Sequence, residues 1–458
     1  MAAPRGVIEA VEGGFKVVFS HGGQEHEVQP LSSAEEAGLV CDLLTLKEAI
    51  DEQVDSNTLQ LRSQHLASLT ARQLRDAQHT LRGSELGNIS FDDMVEQVQA
   101  CTTKADTCTP AHAAGSIGAR FLLNSAALGH SGIAQFLLLA DPRAVCSLSS
   151  KTGSSPLHCA AVNGHTDVVR LLLESKPSLA AGADARKWTA LHLAAARGGR
   201  TAICQMLLDR AAELAKAANQ EGALPLHLAA HSGCAATCQM LLDRAPATAA
   251  TADSMGALAL HVAARRGRES TCKVLLAFAP ETATVGDKHG WLALHWAAHR
   301  GHAAAAEVLV AAAPESTNRA NSKSRTALQC ALDPLGGKPH LAAARSLVAA
   351  GPVPDVLAAL GAAGPAAQSL FGDFVTARLP VTSEVWAALP TPCPGIGGAL
   401  PAVLAHSAEQ TRQLLSHLSP ADVQRLRIAL LCLHRVHKQQ HVYLPTPVVW
   451  KILGLLVI

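Results

Sequence analysis

The chain has 458 residues, of which 48% are hydrophobic and 16% are charged, and its formal net charge at pH 7 is +1. This composition is too apolar for a mostly disordered chain. The balanced charge excludes a general attraction of the whole molecule to nucleic acid or to anionic membranes, so any electrostatic preference must be local.

The two ends of the chain bear on its compartment. The first residues are not followed by the apolar core of a secretory signal. The apolar stretch 448–458 is about half the length of a membrane span, and it contains Lys451. We therefore expect no membrane span and a protein of the cytoplasm or the nucleus.

Residues 1–110 are predicted to form a small α+β domain that begins with a β-hairpin. Residues 15–19 are rich in β-forming side chains, and residues 25–28 return after a turn that contains two glycines. This pattern predicts two paired strands within about the first 31 residues.

Helices are predicted to follow the hairpin. Residues 33–36 have the pattern of a capping box that opens a helix, and further helical stretches are expected at about residues 46–54, 66–81 and 91–101. A hairpin followed by helices resembles the BTB fold and its Skp-type relatives, with residues 91–98 in the place of an apolar helix of that family. The resemblance implies a module that recruits a cullin. The alternative is a plain α+β or helical cap.

A boundary and an incomplete repeat come next. Residues 102–118 are rich in Thr, Ala and Gly, which is typical of a linker. Residues 125–139 look like an eroded copy of the unit that repeats further along the chain, and such a terminal copy is expected to cap an array. We therefore expect a repeat array over residues 119–351.

A tripeptide recurs between residues 151 and 333. Its sixth copy ends in Gln329, whereas the first five end in a histidine, and those histidines are spaced 34, 35, 34 and 34 residues apart. An Asp or Asn stands eight residues before most of them, and an alanine pair and an aliphatic run follow. Self-similarity at this period predicts a solenoid. The five histidines are His158, His192, His227, His261 and His295.

This pattern resembles the ankyrin repeat, whose signature D-x-x-G-x-T-P-L-H-x-A-A-x-x-G-H precedes an aliphatic helix. The resemblance implies a mainly α fold, a solenoid of stacked helix-turn-helix repeats with projecting turns, and a non-catalytic role in holding other proteins. It also implies that the five histidines hydrogen-bond within their own turns. Since they lie one per repeat, they cannot converge on a single metal ion. Leu224, Leu258 and Leu292 replace the family's threonine, which favours apolar packing at those positions.

Three cysteines recur at the same period, at Cys204, Cys238 and Cys272. Packed helices lie about 8–10 Å apart, which is too far for a disulfide between equivalent positions. We expect this column to fill the core as reduced thiols, in keeping with an intracellular compartment.

The resemblance also implies which positions contact a partner, because ankyrin proteins use their turns and the concave face of their first helices. Most of these side chains are basic or aromatic, so we expect a partner protein with an acidic and apolar surface. The absence of a regular aromatic platform disfavours single-stranded nucleic acid. Trp188 and Trp291 lie beside turns and are expected to be exposed, whereas Trp296 either packs against a neighbouring repeat or is exposed. The predicted contact residues are Arg186, Trp188, Arg197, His231, Arg265, Arg266, Lys288, His289, Trp291, His299, Arg300 and Arg325.

Residues 352–458 are predicted to form a helical C-terminal region, because prolines interrupt short helices there. Ser419 and Pro420 open a helix expected to reach about residue 438. This ending resembles the SOCS box, with Ile428 and Cys432 at elongin-binding positions and residues 444–447 as a cullin-binding element. Isoleucine at position 428 departs from the family's leucine. The alternative is an ordinary hydrophobic cap.

No catalytic or nucleotide-binding motif stands out, so neither catalytic residues, nor a cofactor, nor a metal site is predicted. The leading hypothesis is a non-catalytic scaffold that binds proteins on the concave face of its repeat array. A second hypothesis is a substrate-recruiting adaptor of a cullin-type ubiquitin ligase, with cullin or elongin-type partners. A third is an enzyme whose active site lies unrecognised in a flanking region.

Overall fold

The computed structural model describes residues 6–11, 14–21, 24–31, 34–51, 81, 89–103, 119–140, 142–149, 152–333, 338–363, 367–426 and 428. The chain divides into two compact units, Met1–Thr248 and Ala249–Ile458. Both are built mainly from short helices, so the predicted mainly α fold is confirmed.

The first unit opens with an antiparallel sheet of three strands in the order β1-β2-β3. Alternate side chains point to one face, so that Val17, Phe19 and Val28 are buried. The predicted hairpin corresponds to β2 and β3. The sequence does not predict β1, because its one buried position is Gly6, which gives no apolar signal. The strands are β1 (Gly6–Val11), β2 (Gly14–His21) and β3 (Gln24–Leu31).

Two helices accompany this sheet, α1 (Ala34–Asp51) and α2 (Phe91–Thr103). Helix α1 packs on β2, and α2 packs on β3. Helix α1 begins where the capping-box pattern predicts a start, and the separate helix expected from residue 46 is its last part. The helix predicted at 66–81 lies outside the described residues, apart from Leu81.

Helix pairs make up the rest of the first unit. The first helix of each pair packs on the first helix of the next pair, and the second helices pack in the same way. This arrangement buries the apolar face of each helix against its neighbours. The helices are α3 (Ala119–Leu128), α4 (Ser131–Ala140), α5 (Pro156–Asn163), α6 (Thr166–Ser175), α7 (Ala190–Ala196), α8 (Thr201–Arg210), α9 (Pro225–Ser232) and α10 (Ala235–Arg244).

The second unit begins with further pairs of the same construction. Their first helices pack together in sequence, as do their second helices. The pairs are α11 (Ala259–Arg265) with α12 (Glu269–Phe278), α13 (Ala293–Arg300) with α14 (Ala303–Ala312), and α15 (Ala327–Leu332) with α16 (Leu341–Ala350).

Short 3-10 helices follow most of the second helices and lead the chain toward the next turn. Most of them begin with proline, whose fixed φ suits a helical start. They span Pro142–Cys146, Pro177–Ala181, Ala212–Lys216, Pro246–Ala250, Pro280–Thr284 and Pro314–Asn318.

The core of the pairs follows from the repeated tripeptide and the aliphatic run. The tripeptide leucines, such as Leu191 and Leu294, are fully buried, and paired alanines beside them let the helices approach closely. The cysteine column at Cys204, Cys238 and Cys272 is also fully buried, as predicted. These three cysteines are free thiols.

The C-terminal part of the second unit is helical and lacks the repeat. Trp386 anchors it: the ring is buried, and its Nε1 donates to Oε1 of Gln410 at 3.2 Å. Residues 420–426 are helical, and Oγ of Ser419 accepts from the backbone N–H of Asp422 at 3.2 Å, so this helix starts at the predicted place. The helices are α17 (Val353–Ala362), α18 (Leu370–Ala377), α19 (Ser383–Ala388), α20 (Leu400–His406) and α21 (Ala408–Ser416), with a 3-10 helix at Ile396–Ala399.

The structure describes only some of the residues on which the C-terminal resemblance and the membrane prediction depend. Within the part of the chain that the structure describes, no helix is both long enough and apolar enough to cross a membrane. Cys432 and residues 444–447 lie outside the described residues. Ile428 is described, and 52% of it is exposed.

Candidate functional site

The turns before the first helices are held by one repeated hydrogen-bond pattern. In the turns before α7, α9, α11, α13 and α15, a side-chain oxygen accepts from the backbone N–H groups two and four residues later, at 2.7–3.1 Å. This geometry explains the recurrent Asp or Asn in the sequence. The accepting residues are Asp184, Asn219, Asp253, Asp287 and Asn321.

The tips of neighbouring turns are joined through the backbone. The N–H of Gln220 donates to the carbonyl of Arg186 at 3.0 Å, and the N–H of Lys288 donates to the carbonyl of Met255 at 3.2 Å. The predicted contact residues Arg186, Lys288 and His289 are exposed on these tips. Their backbone is therefore fixed before a partner arrives, which lowers the entropy lost on binding.

The repeat histidines hold the start of each first helix. Nδ1 of His192 accepts from the backbone N–H of Thr189 at 3.2 Å, and the other four histidines accept from the N-cap residue of their own turn at 3.0–3.2 Å. Nε2 then donates into the next repeat, as from His192 to the carbonyl of Ala223 at 3.2 Å and from His295 to the carbonyl of Arg325 at 3.1 Å. The sequence does not predict this second bond.

Burial sets the protonation of these histidines. It lowers the pKa of His192 and of His295 to about 4, and it also lowers the pKa of His158 and His261. A neutral imidazole protonated at Nε2 matches both hydrogen bonds, since Nδ1 must accept. The histidines therefore have a structural role, with one in each turn.

Two tryptophans come together on helix α13 and the turn before it. The rings of Trp291 and Trp296 lie 4.6 Å apart, and the ring of His299 meets Trp291 edge-on at 5.4 Å. Nε1 of Trp296 donates to Oδ2 of Asp287 at 3.1 Å. Trp296 is half-buried, whereas only 8% of Trp291 is exposed. The expectation that Trp291 is exposed is wrong, because its ring packs against these two neighbours.

Arg265 lies over the half-buried tryptophan. The guanidinium carbon of Arg265 lies 5.6 Å from the centre of the Trp296 ring, within the range of a cation–π contact. Burial lowers the pKa of Arg265, and the like charges of Arg266 and Arg300 lower it further, while Asp253 opposes the shift. The side chains of all three arginines reach the surface. This surface, the basic aromatic patch, consists of Arg265, Arg266, Trp296, His299 and Arg300, and the buried ring of Trp291 supports it through Trp296 and His299.

One predicted contact residue of the second unit is turned inward. Nη2 of Arg325 donates to the carbonyl of Gln329 at 2.8 Å and to the carbonyl of Asp333, and it lies 3.2 Å from Oδ2 of Asp333. These bonds tie the last turn of α15 to the turn before it. Arg325 is therefore committed to the fold and is less available to a partner than the exposed arginines.

The predicted contact residues of the first unit form no comparable cluster among the described residues. Arg197 is exposed at the end of α7, and His231 is half-buried at the corresponding end of α9. The ring of Trp188 is half-buried and lies 6.1 Å from that of His192. Trp188 thus supports its own turn and is less exposed than expected.

The thiol of Cys234 has a lowered pKa, which the sequence pattern does not predict. Burial alone would raise the pKa of its thiol, but hydrogen bonds from the Thr237 hydroxyl, the Gly199 and Thr237 backbone N–H groups and the Thr201 hydroxyl lower the pKa to about 7. Oγ1 of Thr237 donates to Sγ at 3.1 Å. Within the described residues, no three or more His, Cys, Asp or Glu side chains are grouped so that they could hold a metal ion.

Comparison with models of protein families relates more than half of the chain to a known repeat. A family model described as ankyrin repeats (3 copies) matches residues 92–177, 121–218, 213–284 and 260–356. Together the matches run from residue 92 to residue 356 of the 458 residues, and they begin ahead of the predicted array. Among the curated proteins, none matches the chain.

Proposed function

Because the chain belongs to the ankyrin repeat family, we propose that it is a non-catalytic scaffold whose basic aromatic patch binds an acidic and apolar segment of a partner protein. Ankyrin repeats mark protein-interaction scaffolds, and the family is generally non-catalytic. The partner's chemistry and the residues that hold it are what this proposal adds.

The observation that carries the proposal is the contact between Arg265 and Trp296. It sets a partly desolvated guanidinium on an aromatic ring, and it bridges two consecutive first helices. Arginine and tryptophan are among the residues found most often as binding hot spots, and a side chain already held by its neighbours loses little entropy on binding. The surrounding positive charge favours an acidic partner and raises its rate of association.

The first prediction tests this patch by charge reversal. Arg265→Glu with Arg266→Glu should reduce capture of partner proteins from a cell lysate by the full-length chain by about tenfold or more, since hydrogen bonds to charged groups contribute about 1.5–3 kcal/mol each. Quantitative mass spectrometry of the captured proteins, at low and at moderate salt, provides the measurement. The remaining binding should also depend less steeply on salt.

A matched control keeps the change in net charge. Arg170→Glu with Lys273→Glu alters two exposed residues that pair with acidic neighbours on second helices. We expect this variant to retain its partners. If both double variants bind as the unaltered chain does at low salt, the patch is not the contact surface.

A second candidate function is the cullin-ligase adaptor, and the exposed Ile428 is the observation that favours it. An isoleucine that is 52% exposed on a helix is available to a partner subunit. We infer that Ile428→Asp would remove any cullin or elongin subunits from the captured set while leaving patch-dependent partners in place. Capture that is unchanged by this substitution would count against the adaptor role. The third hypothesis, an enzyme in a flanking region, stays a prediction from the sequence.

A further inference from the structure

The arginines of the basic aromatic patch carry charge that the described fold does not neutralise. Among the described residues, no ion pair joins Arg265, Arg266 or Arg300 to a carboxylate, whereas Arg244 and Lys273 outside the patch each have one. The three patch arginines stand close enough for Arg266 and Arg300 to disfavour the charge on Arg265. A cluster of like charges costs free energy in the unbound protein and lowers the cost of binding an anion.

The carboxylates beside the patch already serve as hydrogen-bond acceptors in the fold. Oδ1 of Asp287 accepts from the backbone N–H groups of His289 and Trp291, both at 2.9 Å, and its Oδ2 accepts from Nε1 of Trp296. Oδ1 of Asp253 accepts from two N–H groups in its own turn. Both oxygens of Asp287 are thus engaged in the fold, and Asp253 favours the charge on Arg265 without forming an ion pair with it. Pairing of the three arginines is therefore left to an external group.

The positions of two of these arginines at helix ends explain only part of the arrangement. Arg265 and Arg300 lie in the last turns of α11 and α13, where a cation is stabilised by the helix dipole. The dipole does not explain why Arg265 leans on the Trp296 ring, nor why a further arginine follows at position 266. Both features fit the recognition of an anion with several acceptor oxygens.

We propose that the basic aromatic patch binds a phosphorylated serine or threonine in the partner segment, with an apolar side chain of that segment against Trp296. This inference rests on the proposed function and narrows it. A single carboxylate would neutralise one arginine of the three. A phosphoryl group carries about −1.5 to −2 charges at pH 7 and three acceptor oxygens, so it can engage two or three guanidinium groups at once.

Arginine suits this role better than lysine would. A guanidinium presents its donors in a plane and pairs with phosphate through two parallel hydrogen bonds. The Trp296 ring supports the guanidinium of Arg265, and the exposed part of the ring offers an apolar contact next to it. A cationic ligand such as a methylated lysine is disfavoured there, because Arg265, Arg266 and Arg300 would repel it.

The test uses the full-length chain and three immobilised pools of degenerate nine-residue peptides. The central residue is phosphoserine or phosphothreonine in one pool, the unmodified residue in the second and glutamate in the third. We expect retention on the phosphorylated pool to exceed retention on each of the others by about tenfold, as charge-assisted bonds to a dianion predict. Equal retention on the phosphorylated and glutamate pools would overturn the phosphate inference and leave the proposed function standing.

Two triple variants locate the binding. Arg265→Glu, Arg266→Glu and Arg300→Glu in one chain should abolish the preference for the phosphorylated pool. The same three positions changed to lysine keep the charge and should lose most of that preference, because lysine lacks the planar donor pair. A preference that survives in the glutamate variant would place phosphate binding elsewhere and refute the proposal.

A third variant controls for the change in net charge. Arg170, Lys273 and Arg412 are exposed and pair with acidic residues on their own helices. With all three changed to glutamate, the chain should prefer the phosphorylated pool as the unaltered chain does. Loss of the preference in this control would show that net charge, and not the patch, retains the peptides, and it would also refute the proposal.

Treatment of the lysate with a phosphatase distinguishes the phosphate inference from the proposed function on which it rests. Proteins captured through the basic aromatic patch should be lost from the captured set after this treatment. Patch-dependent capture that resists the phosphatase would sustain an acidic partner and overturn the phosphate inference. Capture without any dependence on the patch would overturn both.

Discussion

At the scale of single residues, the repeat histidines show how a polar side chain is kept uncharged inside the fold. Each ring accepts one backbone N–H in its own turn, and rings in both units also donate to a carbonyl of the next repeat. Protonation of Nδ1 would replace the acceptor by a second donor and break the first of these bonds. Burial and hydrogen bonding therefore both favour the neutral form. These donors include His158, His192, His261 and His295.

This neutrality makes stability depend on pH. The pKa of His192 and of His295 is about 4 in the folded chain and 6.5 in an unfolded one, so the unfolded chain binds more protons between these values. The contribution of each histidine to the free energy of unfolding is complete above pH 6.5. It falls as the pH drops toward 4, by on the order of 3 kcal/mol for each histidine. Urea unfolding followed by circular dichroism at a series of pH values measures this slope.

The sixth repeat supplies the matched variant. Oε1 of Gln329 accepts from the backbone N–H of Thr326 at 2.9 Å, so glutamine reproduces the first histidine bond without a titrating group. His192→Gln with His295→Gln should therefore flatten the loss of stability between pH 6.5 and 4. An unchanged slope in the double variant would contradict the role assigned to these two rings.

At the scale of the helices, some successive pairs are joined by a second histidine, which stands at the start of the second helix. Nε2 of His302 donates back to the carbonyl of Arg265 at 3.2 Å, and its ring lies beside Gly267, which follows the previous first helix. His165 and Gly129 repeat the arrangement in the first unit. The glycine is needed here for its positive φ and also for the space that the ring occupies.

The next prediction separates these two requirements. Gly267 has a φ of +67°, and a Cβ there would lie 2.5 Å from Nδ1 of His302, whereas Gly199 has a φ of +76° and nothing within 4 Å of such a Cβ. Gly199→Ala should cost about 1–2 kcal/mol of stability through backbone strain alone. Gly267→Ala should cost about 1–3 kcal/mol more, because the ring must move. Urea midpoints measure both, and equal losses would show that the ring yields freely.

The positions of the helices can be predicted from the sequence, whereas some of the contacts around them cannot. The tripeptide, the alanine pair and the Asp or Asn of the turn are local signals, so they predict where each first helix starts. The sequence assigns Trp291 to the surface because turns usually lie there, but Trp296 and His299 close over its ring in the folded repeat. Strand β1 escapes prediction because it contributes Gly6 to the core, where a Cβ would lie 2.5 Å from Sγ of Cys41.

At the scale of the whole molecule, the cysteines provide a map of which parts of the fold are closed to solvent. Cys204 and Cys272 are fully buried, and burial raises the pKa of each to about 12. Cys234 is half-buried with a pKa of about 7, and Cys146 is exposed. The cysteines that the structure describes are free, so one labelling experiment can report on both units.

We expect iodoacetamide at pH 7 to label Cys234 in the folded chain well before Cys238, which is fully buried one helical turn away. The rate at Cys234 should rise between pH 6 and pH 8, as the thiolate fraction grows from about a tenth to about nine tenths. The buried column should react only after urea is added. Peptide mass spectrometry over a time course gives the individual rates, and equal rates at Cys234 and Cys238 would contradict the packing described for α10.

The histidine bonds also give the array a direction. His295 donates forward to the carbonyl of Arg325, while His302 donates backward to the carbonyl of Arg265, so one repeat holds both of its neighbours through equivalent atoms. A segment one period long could then be excised or duplicated between equivalent positions, and the forward-donating histidine at the new junction would meet a backbone carbonyl at the equivalent place. Because every residue type supplies a backbone carbonyl, this forward bond places no demand on the side chains of the repeat that accepts it.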